Sequence, residues 1–144
     1  MTDPTPLHVE RIAPTTYVGR NERGAEVRIG ASSADGVFSP GELLQLALGA
    51  CGLLSADHTL AGRLGEEFSA RVDISVVKNH VADRYDRLSA DILVDMAALE
   101  PERRAALIER GERAIDRLCT VGHTLGHGAR HDVRIRSGAA PGVL

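Results

Sequence analysis

The fold of this chain is decided by residues 39–51, which read SPGELLQLALGAC. Ser39 fits a helix N-cap, Pro40 the first helical position and Glu42 the third, so the stretch is a capping box ahead of an apolar run. We predict a long helix over residues 40–64. Its middle is apolar on every face, whereas a surface helix keeps a polar stripe. We therefore expect this helix to be buried on all sides.

Shorter elements precede the helix. Residues 7–12, 15–20 and 24–29 have strand composition, and the turn signal NERG at residues 21–24 separates the last two. These runs predict a small antiparallel meander. Residues 32–38 form a loop of mostly small residues.

Further strands and helices are predicted after the long helix. Residues 70–78 and 88–96 alternate as two strands, joined by a polar turn over residues 79–87. Glu100 and Pro101 begin a second helix with one solvated face. A short turn or helix follows Cys119 as far as Leu125, and residues 131–136 predict a last strand. The order is typical of an α+β fold with antiparallel sheets rather than of alternating βαβ units.

Length and composition indicate one soluble domain spanning residues 1–144, with flexible tails at about 1–6 and 138–144. The aromatic share is 3%, the net charge is −3, and the sequence has no Lys/Arg cluster, so we expect no nucleic-acid partner. The polar start is unlike a signal peptide and no apolar stretch reaches about 18 residues, which excludes a membrane partner and favours the cytoplasm.

The two cysteines, Cys51 and Cys119, are the candidate reactive groups. In the cytoplasm such residues serve redox, catalytic or metal chemistry more often than a permanent disulfide, although free Cys is also commonly a small buried hydrophobe.

The long helix over residues 40–64 is apolar on every face, and one sheet of the same chain can bury only one of those faces. A twofold partner would cover the other face, so we expect a homodimer.

Histidine spacing offers a second hypothesis. Cys119, His123, His127 and His131 recur every four residues, which a continuous helix would turn into a soft or borderline metal site. Intervening glycines and the strand pattern at residue 131 argue against it, so we expect no metal. His123 either tunes Cys119 or is uninvolved, and His58 is more typical of an ordinary helix histidine.

The motifs S-P-x-E-L-L-x-x-A-L-G-x-C at residues 39–51 and C-x-V-x-x-T-L at residues 119–125 resemble those of the OsmC/Ohr family across nearly the whole chain. The resemblance implies an intertwined homodimer around a long central helix. It also implies a thiol peroxidase that reduces organic hydroperoxides without a cofactor. Cys51 would attack the peroxide, Cys119 would resolve the product as a disulfide, and an external thiol or dithiol would reduce it.

The resemblance further implies an arginine near the thiolate. Arg20 matches that position best and Arg28 is the alternative. The family glutamate ten residues before the first cysteine is replaced by Gly41, and Glu42 fits a capping role instead. This departure keeps a second hypothesis open, in which the protein is a noncatalytic redox-sensing or ligand-binding dimer.

Overall fold

A computed structural model describes residues 6–138 of the chain. These residues form two compact units: residues 6–43 with 132–138, and residues 44–131. The prediction of flexible tails falls almost entirely outside the described residues. The prediction of a single domain stays a prediction.

The first unit contains the predicted meander. Strands β1 (His8–Ala13), β2 (Thr16–Arg20) and β3 (Glu26–Gly30) pair antiparallel in chain order. The turn between β2 and β3 is closed by the Asn21 side chain, which accepts hydrogen bonds from the backbone N–H groups of Arg23 and Ala25 at 2.9 and 3.0 Å. Gly24 adopts a φ of 92° there, a conformation that favours glycine. The three predicted strands are thus confirmed.

Helix α1 spans Pro40–Leu64, as predicted. The capping box is formed in both directions: Ser39 N–H donates to Glu42 Oε1 at 2.8 Å, and Glu42 N–H donates to Ser39 Oγ at 3.1 Å. Two N–H groups that would lack a helical partner are therefore satisfied by side chains. Glu42 has the capping role that its position predicts.

In the second unit, β4 (Ala70–Asn79) and β5 (Arg84–Val94) form an antiparallel hairpin. The predicted turn over residues 79–87 is too long, because β5 already begins at Arg84. The Asn79 side chain accepts hydrogen bonds from the N–H groups of Val81 and Ala82, and Asp83 adopts a φ of 51°. Because this turn is tight, the polar residues from Arg84 onward pair with β4 as the first part of β5.

Helices α2 (Pro101–Leu118) and α3 (Thr120–His127) complete the described elements. The predicted last strand over residues 131–136 is wrong, since this segment has no regular secondary structure. Val133 and Ile135, the apolar members of its alternating pattern, are 93% and 100% exposed. A strand needs a neighbouring edge for its backbone hydrogen bonds, and none of the five described strands pairs with this segment.

The core of the second unit lies where α1 meets α2. Leu107 is 0% exposed, Ala56 2% and Leu60 4%, and they form one cluster. On the sheet side, α1 lies so close to β4 that a Cβ on Gly49 would lie 2.9 Å from Ile74 Cδ1. Glycine therefore sets the distance between this helix and the sheet.

The other face of α1 is open. Leu54 is 76% exposed, and Leu44 and Leu46 are 40% and 41% exposed. Burial on all sides is therefore wrong for the single chain, because no described element covers this face. The helix is also long and apolar enough to cross a membrane, with a mean hydropathy of 1.2 over 18 residues. This corrects the expectation that no apolar stretch reaches that length. The core helix of a soluble protein can be equally long and apolar.

Candidate active site: a cysteine pair at a helix N-terminus

Cys51 and Cys119 both lie in the second unit, and both are free thiols. Cys51 occupies the middle of α1 and is half-buried. Cys119 lies between α2 and α3 and is 4% exposed. Each cysteine side chain influences the pKa of the other, so the two thiols are neighbours. The structure thus brings together the two residues that the motifs single out.

Cys119 is the N-cap of α3. Its Sγ accepts a hydrogen bond from Gly122 N–H at 3.3 Å, in the manner of a serine or aspartate cap. A Cβ on Gly122 would lie 3.2 Å from that sulfur, so glycine permits the close approach. The sequence Cys-Thr-Val-Gly is therefore suited to begin a helix around a sulfur atom.

Cys51 lies against the same helix end. Hydrogen bonding from the backbone N–H of Val121 is the largest influence on its thiol and lowers its pKa. Burial opposes that shift, whereas the side chain of Cys119 and the N–H of Thr120 add to it. The first N–H groups of a helix have no helical partner and carry partial positive charge, so they stabilise a thiolate.

The pKa of Cys119 moves in the opposite direction. Burial raises it, and the neighbouring charge of Cys51 raises it further, against the lowering effect of Gly122 N–H. Two interacting thiols cannot easily both ionise, so the one with more N–H donors holds the negative charge. The arrangement therefore favours a Cys51 thiolate beside a protonated Cys119.

A cavity of ≈ 350 Å³ opens beside Cys119. Its apolar walls come from α1, β5 and α2, through Leu48, Gly52, Ala90, Ile92 and Ile115. Asp116 and His123 supply its polar rim. A small, mostly apolar molecule in this cavity would contact Cys119, whereas Cys51 is not among the residues that line it.

The histidines do not join into a metal site. Helix α3 is continuous through His123 and His127 despite its glycines, but it ends before His131. The His123 ring lies 2.6 Å from the backbone oxygen of Asp116, through Nε2. Among residues 6–138, no group of three or more His, Cys, Asp or Glu side chains is placed to hold a metal ion. His58 lines a different cleft, described below.

Arg20 lies in the first unit, at the end of β2. Its guanidinium pairs with Glu26 at 3.0 Å and with Glu10 at 3.2 Å, and these carboxylates raise its pKa. Arg28 projects from β3, where it is exposed. Gly41 lies in the first turn of α1 and Glu42 is committed to the capping box. The described contacts of Arg20 are thus all with carboxylates of its own sheet.

Sequence reasoning did not identify the backbone donors to Cys51. Val121 and Thr120 were part of the second motif, but nothing local indicates that their N–H groups reach a residue about 70 positions earlier. The role of Ser55 was also missed. Its spacing of four residues from Cys51 is a usable signal, because residues i and i+4 share a helix face; its hydroxyl donates to the Cys51 carbonyl at 2.6 Å.

No protein-family model matches the chain. Uncharacterised proteins of Mycobacterium tuberculosis and Mycobacterium bovis are each 37% identical to it over 131 residues, which is 91% of this chain and 96% of theirs. That identity over nearly the full length of both chains places them in one family.

Solved structures show the same fold at low sequence identity. A hypothetical protein from Aquifex aeolicus matches with a TM-score of 0.67 and 16% identity, covering 88% of this chain and 89% of that one. An OsmC-like protein from Mycoplasma pneumoniae matches at 0.60 and 12%, covering 88% and 89%. The organic hydroperoxide resistance protein OhrB of Bacillus subtilis matches at 0.51 and 16%, covering 83% and 90%. The chain therefore belongs, with its mycobacterial relatives, to a family that has the OsmC/Ohr fold.

Proposed function

We propose that this protein is a thiol-dependent peroxidase that reduces organic hydroperoxides through Cys51 and Cys119. One observation carries the proposal: two free, interacting thiols meet at the N-terminus of α3. The Bacillus subtilis protein of the same fold is named for organic hydroperoxide resistance, which agrees with this chemistry. More broadly, the fold indicates a redox or peroxide-stress protein.

The proposed cycle has three steps. The Cys51 thiolate attacks the terminal oxygen of R–O–O–H, the O–O bond breaks, and the alkoxide leaves and takes up a proton as an alcohol. Cys51 is then a sulfenic acid. The Cys119 thiol attacks the Cys51 sulfur, forming the S–S bond and releasing water. An external thiol or dithiol returns two electrons and two protons to the pair.

The roles follow from the two ionisation states. The thiolate is the nucleophile, so the lowered pKa of Cys51 favours it over Cys119 as the attacking residue. The raised pKa of Cys119 disfavours its thiolate, so Cys119 attacks the peroxide less readily than Cys51 does. The cavity beside Cys119 would hold the R group, and its apolar walls favour organic hydroperoxides over hydrogen peroxide.

Arg20 is the proposed cation of the site, with Arg28 as the alternative. In this proposal Glu10 and Glu26 orient the Arg20 guanidinium, in place of the glutamate that Gly41 replaces. We also propose a cytoplasmic, intertwined homodimer without a bound cofactor, not attached to a membrane. The exposed apolar face of α1 supports the dimer, and the thiol reductants of the cytoplasm would supply the electrons.

The test is a mass-spectrometric experiment on reduced protein mixed with a small excess of cumene hydroperoxide. We expect a rapid Cys51–Cys119 disulfide in the wild type. In Cys119→Ser we expect oxidised Cys51 to accumulate, and in Cys51→Ser we expect Cys119 to stay reduced. If both thiols of the wild type stay reduced, the peroxidase proposal is wrong.

A second candidate is a noncatalytic redox-sensing or ligand-binding dimer. Two observations favour it: Gly41 stands at the family glutamate position, and Arg20 is already paired with two carboxylates. Gly41→Glu separates the candidates, because a glutamate in the first turn of a helix is well tolerated. A large gain in peroxidase rate supports the noncatalytic wild type, whereas an unchanged high rate shows that the glutamate is dispensable here.

A further inference from the structure

A basic cleft lies between α1 and α2, entirely within the second unit. Its volume is ≈ 430 Å³, which is in the range of small-molecule sites. Four arginines supply half of its lining, and one histidine and three small residues supply the rest: Arg63, Arg110, Arg113, Arg117, His58, Thr59, Gly62 and Ala114. The sequence shows no cluster of basic residues, because folding is what brings residue 63 to residues 110–117.

The arginines converge from two helices. Arg110, Arg113 and Arg117 follow the i, i+3, i+7 spacing that places side chains on one face of α2, spread over roughly 10 Å of helix. Arg63 projects from the last turn of α1. Guanidinium groups can therefore contact a ligand in the cleft from both walls.

One of these four arginines forms an ion pair within the described residues. Among the ion pairs of the described residues, Arg113 pairs with Glu109 at 2.7 Å. Within that part of the chain, no carboxylate lies within 4.0 Å of the guanidiniums of Arg63, Arg110 or Arg117. Three unpaired cations on one cleft are notable in a protein whose net charge is −3.

Interaction with the helix dipole explains only some of the arginines that line the cleft. Arg63 and Arg117 lie in the last turns of their helices, where a positive charge interacts well with the helix dipole. Arg110 and Arg113 lie in earlier turns of α2, where that effect has faded. The ion pair with Glu109 accounts for Arg113, so Arg110 is the cleft arginine that neither the helix dipole nor an ion pair explains.

We propose that this cleft binds a small molecule carrying a diphosphate or several phosphate groups. The planar guanidinium donates paired hydrogen bonds that match phosphate oxygens, and several such groups around one cleft suit a compact polyanion. His58 adds a donor at the rim. The proposal is independent of the peroxidase cycle, since it uses neither cysteine and none of the residues around the cavity beside Cys119.

Inorganic pyrophosphate is the probe, titrated into the full-length protein by isothermal calorimetry at constant ionic strength. We expect saturable binding to the wild type. The double variant Arg110→Gln/Arg117→Gln should bind at least about tenfold more weakly, a loss that calorimetry measures directly. The control Arg103→Gln/Arg130→Gln removes the same charge from exposed positions outside the cleft and should bind like the wild type.

A charge-neutral variant tests the cleft itself. A Cβ on Gly62 meets no atom within 4 Å, so Gly62→Leu fits the helix while reducing the open volume above it. This variant should also weaken binding, and it decides the matter if circular dichroism shows that the arginine variant is unfolded.

Three outcomes would overturn the proposal. The wild type could give no saturable heat, the control could lose as much affinity as the cleft variant, or citrate could bind more tightly than pyrophosphate. The first removes the site, the second reduces it to general electrostatic attraction, and the third assigns it to carboxylates.

Discussion

At the residue scale, backbone groups decide which cysteine carries the charge. Val121 N–H is the largest influence on the Cys51 thiol, and Thr120 N–H acts in the same direction. Backbone donors are fixed by the helix and lose no side-chain entropy when they bind an anion. With Gly41 at the position where the resemblance implies a glutamate, these backbone groups are still a source of thiolate stabilisation.

Thr120→Pro tests this source of stabilisation. Thr120 is the first residue of α3, where proline is favoured because the N–H it lacks has no helical partner. The substitution removes one donor to Cys51 while keeping the helix, so we expect the pKa of Cys51 to rise. Thr120→Ala keeps the N–H and is the matched control.

The measurement is the pH dependence of iodoacetamide alkylation, followed at each cysteine by peptide mass spectrometry. Because only the thiolate reacts, a lowered pKa makes Cys51 reactive at lower pH than Cys119, whose pKa is raised. In Thr120→Pro the Cys51 profile should move to higher pH. Identical profiles for the proline and alanine variants would show that the Thr120 N–H has no such effect.

At the element scale, α3 depends on sulfur atoms for its N-terminus. It has eight residues, and helices this short are marginal without tertiary support or caps. Cys119 Sγ accepts a hydrogen bond from Gly122 N–H at 3.3 Å, while the N–H groups of Val121 and Thr120 lower the pKa of the Cys51 thiol. Helix stability and cysteine chemistry are therefore coupled at this position.

Two substitutions of Cys119 distinguish its role as the N-cap of α3 from its role as a thiol. Cys119→Ala removes the acceptor, and loss of an N-cap costs about 1 kcal/mol of helix stability. Cys119→Ser replaces it with a preferred capping residue and should leave α3 formed. Hydrogen exchange of the α3 amides should accelerate in the alanine variant alone, with α2 amides as the internal reference. Equal exchange in both variants would mean that the sulfur does not cap the helix.

Elements with local signals could be predicted from the sequence. The capping box indicated where α1 begins, and the turn signal at residues 21–24 indicated where β2 ends, because these contacts span only a few residues. The start of β5 was missed because polar residues on an exposed strand face look like a turn. The strand over residues 131–136 was wrong because alternation does not supply a pairing edge.

At the whole-molecule scale, the unpredicted features depend on non-local contacts. The donors to Cys51 and the arginine cleft each join segments far apart in the chain, so no sequence window contains them. Burial of α1 was predicted from its composition, yet the single chain leaves Leu54 76% exposed. An apolar face of this kind on a central helix is typical of a surface covered by a second protein chain.

Leu54→Glu tests the proposed homodimer. Burying an unpaired carboxylate in an apolar interface costs several kcal/mol, so we expect the variant to dissociate at concentrations where the wild type is dimeric. The folded chain itself should tolerate the change, because Leu54 is exposed and glutamate is a good helix former. Val81→Glu, at a fully exposed position in the β4–β5 turn, is the control. Sedimentation equilibrium of the three proteins measures the effect. A monomeric wild type would contradict the dimer, and an unchanged dimer in Leu54→Glu would place its interface elsewhere.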